Sequence, residues 1–340
     1  MVVLGERDRK VFEINMKSRN IGVDFLRLLA ILSVIIVHLP LVDDACKSQV
    51  QRFLPYGNAC FALLSGWYMF GVISAMQNMD AFKEWLHNRS RRLLVPYVVW
   101  TIIHLSLATG LALLQHTYEM PTLRDWYSFV FCGTGATQLW FLISLFYAQM
   151  TLPVLLLLCK NTTFLFAFGM LVLYGGSAFL PVGWGFRNYT FIFGMVTIGL
   201  ALRMIFDMPR FRQIVVMPMP KTFLVCLAGG GMMLPSVCNV GDFWPVGVFG
   251  WCAFFGLVGS CCKVEFRGIS ASLINVIGSS TMGIYLSHWL VTRMIFKPLI
   301  PLGADYITDG RVLIIVSAVL ILLLSMLFSW FFRKHKWLVG

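Results

Sequence analysis

The stretch IGVDFLRLLAILSVIIVHLP is apolar except for three ionisable side chains, Asp24, Arg27 and His38. Within a membrane each would cost roughly 2.5–3.5 kcal/mol on insertion scales, so each is expected to have a partner or a task. Asp24 and Arg27 are i,i+3 neighbours and can pair. Arg27 and His38 are eleven residues apart, which on a regular helix separates them by about 20° around the axis and about 16 Å along it. One face therefore carries a guanidinium toward one end and an imidazole toward the other. Neutral imidazole accepts a hydroxyl proton near physiological pH, and a guanidinium binds carboxylate or phosphate oxygens. Taken singly, each group has a plainer explanation: an ion pair at the membrane edge, and a histidine bonded to a neighbouring helix. Their alignment on one stripe favours a polar path through the bilayer.

Two further constellations have chemical potential. In NRSRRLLVPYVVW, Arg89, Arg91 and Arg92 precede an apolar run, with Arg89 and Arg92 on one helical face. Such clusters commonly anchor a span, and they also fit a cytoplasmic polyanion. In IGSSTMGIYLSHWLV, Tyr285 and His288 share a face at i,i+3 with Ser287 beside them. His288 would sit at a depth similar to His38, so the two imidazoles are expected to share a cavity. His104, in TIIHLSL, reads as a satisfied core residue, and His87, His116 and His335 fall in loops.

The elements that position these residues follow from composition. Of 340 residues 59% are hydrophobic and 12% charged, about half the charge of a soluble chain. The apolar blocks predict an all-α polytopic membrane protein with about ten spans, at 22–42, 53–76, 93–115, 138–158, 163–181, 189–206, 222–239, 243–261, 273–297 and 311–332. The polar first nineteen residues show no cleavable leader pattern. With the N-terminus inside, nineteen of the 27 basic residues lie on the inner side and seven on the outer, Arg27 being within span one. That asymmetry places both termini in the cytoplasm. The organisation expected is a cytoplasmic segment 1–21, one ten-helix domain 22–332 and a tail 333–340. The longest loop, 116–137, with Trp126, Tyr127 and Phe129, is expected to cap the outer interface. The net charge of +12 is a topology signal and not a nucleic-acid footprint, because no soluble basic domain exists. Nine cysteines lack CxxC or Cys/His spacing, so no metal is expected. Cys46 and Cys132 fall in outer loops, where either a disulfide or two thiols is compatible with the sequence.

At these residues the chain resembles the acyltransferase-3 family of bacterial integral-membrane enzymes. Four features carry the resemblance: Arg27 through His38 behind Asp24, FALLSGW with Ser65 and Gly66, RSRRLLVPY, and LWFLISLFY with Trp140, followed later by IGSSTMGIYLSH. Leu28, Met282 and the SGW ending depart from the family pattern without touching the chemistry. The resemblance implies transfer of an acyl group, most often acetyl from acetyl-CoA, to a hydroxyl of a cell-surface or lipid-linked glycan at the bacterial inner membrane. On that basis Arg89, Arg91 and Arg92 meet the coenzyme A phosphates. His38 is the general base or a transient acyl carrier. Arg27, fixed by Asp24, holds the donor or stabilises charge on the thioester oxygen, and Trp140, Tyr285 and His288 contact substrate. A transporter of acyl groups or glycan intermediates would also use intramembrane charge, although no internal repeat of the kind many transporters show is visible. The sequence names neither the acceptor nor an oligomeric state.

Overall fold

The computed structural model describes residues 21–39, 57–69, 71, 76, 78–135, 138–158, 161–179, 186–206, 269–296 and 310–335. All regular structure among these residues is helical: α1 (Ile21–Val37), α2 (Gly57–Tyr68), α3 (Met79–Leu114), α4 (Leu123–Tyr127), α5 (Leu139–Leu158), α6 (Thr162–Phe179), α7 (Phe186–Phe206), α8 (Ile269–Leu290) and α9 (Gly310–Phe331). Two π-helical turns, Ser128–Cys132 and Val291–Phe296, follow α4 and α8. Among the described residues four helical segments are long and apolar enough to cross a membrane: Met79–Leu114, Leu139–Leu156, Asn188–Ile205 and Ile314–Phe331. Eight of the ten expected spans coincide with a helix; 222–239 and 243–261 lie outside the described residues, as do both chain ends and Cys46.

Lipid offers no hydrophobic drive for helices to associate, so close contact depends on small residues and polar bridges. The small pair in FALLSGW supplies both. Gly66 lies so close to α7 that a side chain there would overlap the carbonyl of Val196, and Gly199 on α7 presses likewise on the carbonyl of Leu63. Beside them the Gln149 amide of α5 donates to the Ser65 hydroxyl. Helices α2, α5 and α7 thus meet around one small-residue crossing.

Helix α3 begins well before its apolar run. Asn78 caps it, its side chain accepting from the backbone N–H groups of Asp80 and Ala81 at 2.9 and 3.4 Å. The polar stem from Met79 to Arg92 is therefore rigid helix, and the three arginines are carried on it instead of on a loop.

The segment after α3 stays at the surface, with no residue of α4 or of the π turn that follows it buried. It folds back along the helix it has just left. The Tyr97 hydroxyl donates to the carbonyls of Phe129 and Val130, each at 2.8 Å, and Gly135 lies beside Thr101. Tyr97 is seventeen residues below the end of α3 at Leu114, about 25 Å of helix. Tyr97 thereby ties the π turn to the side of α3. The return sets the start of α5 level with the middle of α3, where Gln138 meets His104 and Tyr285.

Gly66→Val is expected to break the α2–α7 crossing and sharply lower the yield of folded protein. Gly110→Ala, where a methyl group meets nothing within 4 Å, should keep the yield and add up to ~1 kcal/mol of stability. Thermal unfolding in detergent followed by size-exclusion chromatography reads both.

Candidate active site

The three ionisable residues of α1 are organised by α8. Asp24 is 1% exposed and takes the Arg27 guanidinium at 3.0 Å. A buried carboxylate without a partner is prohibitively costly, so this ion pair is a condition of placing Asp24 in the bundle. The carboxylate also needs room, and Gly278 on α8 provides it. A Cβ at that position would come within 2.5–2.6 Å of the Asp24 side chain. Arg27 remains one-third exposed and lies over the Tyr68 ring at 5.9 Å.

At the other end of the same helix pair the imidazoles meet. The His38 and His288 ring centroids are 5.3 Å apart, with the planes at 68°. Since Asp24 faces Gly278 and His38 faces His288, α1 and α8 run parallel, as the shared depth of the two histidines requires. His38 stands one residue past α1, in a tightened turn where its N–H bonds the carbonyl of Ile35 at 3.0 Å. Its Nδ1 lies 2.7 Å from the carbonyl of Val34, and the His288 Nδ1 lies 2.6 Å from the carbonyl of Tyr285. A carbonyl only accepts, so both Nδ1 atoms carry the hydrogen and both Nε2 atoms present a lone pair. His288 is fully buried, and its Nε2 has no hydrogen-bond partner among the described residues.

The remaining predicted residues divide. Tyr285 is buried with its ring against His288 at 5.7 Å and against Phe61 and Phe141 at 6.2 and 5.4 Å. Its hydroxyl is committed to the carbonyl of Gln138 at 2.8 Å, which makes it a support for the site more than a free ligand. Trp140 is half-buried at the start of α5, and its neighbour Phe141 is the aromatic that packs on Tyr285. Arg89, Arg91 and Arg92 lie on the polar stem of α3, Arg89 half-buried and the other two exposed. Surrounding protein, and then the charge of Arg92, lower the Arg89 pKa. The Arg92 pKa is lowered in the same way by partial loss of water and then by Arg27. Like charge thus links Arg89 to Arg92 and Arg92 to Arg27.

His104 is buried, as expected, but in a polar setting. Its Nε2 lies 3.0 Å from the Gln138 amide nitrogen, and its ring meets Trp289 at 4.8 Å. Gln138 and Gly278 are absent from the sequence expectations. The only signals for them are a lone amide in an apolar run and a glycine in a helix.

The geometry is thus an ion pair at one end of α1 and two facing imidazoles at the other. The acyltransferase-3 family model, described as an acyltransferase domain, matches residues 20–333. This chain belongs to that family. It is a membrane acyltransferase, and the match takes in every residue of the site. No curated protein and no solved structure matches the chain.

Gly278→Ala in the acyltransferase should displace Asp24 and release Arg27. Activity is expected to fall about ten-fold or more, the scale of a small misplacement, with the amount of membrane-inserted protein unchanged. Full activity would mean that the ion pair tolerates displacement from α8.

Proposed function

We propose that this acyltransferase moves an acetyl group from acetyl-CoA to a hydroxyl of a cell-surface or lipid-linked glycan at a bacterial inner membrane. We read the chain as a ten-span domain over 22–332 with both termini in the cytoplasm. The basic-residue asymmetry supports that topology. The parallel run of α1 and α8 supports it too, because the first and ninth members of an alternating series point the same way.

The observation that carries the mechanism is the His38–His288 pair, 5.3 Å apart, with both Nδ1 hydrogens held by backbone carbonyls. On the cytoplasmic side Arg89, Arg91, Arg92 and Arg27 bind the phosphates of the donor. Its long flexible arm lies along α1 and brings the thioester to the histidines. His38 Nε2 takes the proton of the acceptor hydroxyl. The hydroxyl oxygen attacks the thioester carbonyl carbon and the carbon–sulfur bond breaks. The leaving thiolate then takes the proton from the imidazolium, giving the O-acetyl ester and free coenzyme A. The Nε2 lone pair of His288 stabilises the transient imidazolium. Arg27, about 16 Å along α1 from the base, is too distant to meet the same carbonyl oxygen and is assigned to the donor. Trp140 is assigned a stacking surface for sugar or donor.

His38→Ala is expected to reduce transfer by about 10²–10⁴-fold at unchanged levels of inserted protein. Mass spectrometry of surface glycans from cells carrying each version reads it, and wild-type acetylation in the variant would remove His38 as base. Replacing Arg89 and Arg92 together with Ala should raise KM for acetyl-CoA about ten-fold per lost charge-assisted bond. An unchanged KM would return the cluster to membrane anchoring.

A further inference from the structure

Gln138 stands one residue before α5 in the run TQLWFL and is 1% exposed. An amide in such a place must find partners or carry the cost of burial. Its nitrogen lies 3.0 Å from His104 Nε2 on α3 and 3.5 Å from the carbonyl of Leu286 on α8. Leu286 O can only accept, so the amide donates in that direction. With its second hydrogen it donates to His104, whose proton then resides on Nδ1. From its main chain, the Gln138 carbonyl accepts the Tyr285 hydroxyl at 2.8 Å. The Tyr285 carbonyl in turn holds His288 Nδ1 at 2.6 Å.

One residue thus grips positions 285 and 286 together, through side chain and backbone, just before His288. The helix changes geometry soon after this grip. Regular α-helix stops at Leu290 and a π turn with i→i+5 bonding begins at Val291. From that turn, the Thr292 hydroxyl donates to the His288 carbonyl at 2.7 Å. Apolar packing on this part of the chain comes mainly from α1 and α9, and Gln138 adds a polar hold from the side of α3 and α5.

We propose that Gln138 is a positioning residue for acyl transfer, fixing His288 against His38 by clamping Tyr285 and Leu286 of α8 to α3 and α5. This rests on the reading of His38 as the base, and it gives the fold-back after α3 a purpose: it delivers Gln138 to mid-helix depth beside His104. The residue touches no substrate. Its influence is on where the second imidazole points.

The test uses membrane vesicles from the organism that makes this protein, supplied with radiolabelled acetyl-CoA, with label fixed in glycan counted per inserted enzyme. Gln138→Met keeps the bulk and removes the amide. It is expected to lower the maximal rate about 10- to 100-fold, to leave KM for acetyl-CoA within about two-fold, and to displace the acid limb of the rate–pH profile. Tyr285→Phe, which loses one hydroxyl, should move the same limb by less. A Gln138→Met protein at wild-type rate and profile would overturn the proposal. So would a loss of rate that only tracks lost protein, with an unmoved profile in both variants. If Gln138→Met does not insert, Tyr285→Phe decides by its profile alone. His38→Ala, run in parallel, separates the two ideas. An inactive His38→Ala beside an unaffected Gln138→Met removes the clamp only, and an active His38→Ala removes the base.

Discussion

A carboxylate sealed inside a membrane domain is the constraint from which the site follows. Asp24 cannot remain charged there alone, so Arg27 is drawn to it one turn along the helix. The pair then needs space on the side of α8, and only a residue without a side chain provides it at Gly278. Once α1 and α8 are fixed at that contact and run parallel, the far ends of the two helices must also meet. They meet at His38 and His288. The ion pair and the imidazole pair are therefore two consequences of one helix contact.

The second organising feature is the backbone between α3 and α5. By turning back along α3 it brings the carbonyls of Phe129 and Val130 to the Tyr97 hydroxyl, while apolar residues such as Leu123, Trp126 and Phe131 remain on the exposed side. The start of α5 then lies among His104, Tyr285 and Phe61, so that α2, α3, α5 and α8 all contribute to one aromatic and hydrogen-bonded wall behind His288.

Much of this was legible in the residues themselves. Charges stand out in apolar sequence because membranes penalise them, so Asp24, Arg27 and His38 were visible as a stripe, and matching depth connected His288 to them. Other features were hidden for physical reasons. The importance of Gly278 depends on what lies opposite, a long-range fact that no local pattern carries. Gln138 acts as much through its carbonyl as through its side chain, and every residue has a carbonyl. Tyr285 looked like a ligand because its hydroxyl is a versatile group, and the fold commits that hydroxyl to the main chain. The direction of the chain after Leu114 was hidden because an exposed aromatic segment carries no signal of which neighbour it lies against.

On the proposed reading, the separation of the Arg27 guanidinium from the His38 imidazole along α1 would act as a ruler. Its length is the number of helical turns between Arg27 and His38, with α8 packed alongside. A molecule long enough to touch both marks at once would be favoured over a fragment carrying the same reactive group, because the fragment must give up one end to reach the other. Selection by reach of this kind needs no pocket shaped to the donor's head. It would change if α1 and α8 gained or lost a turn together.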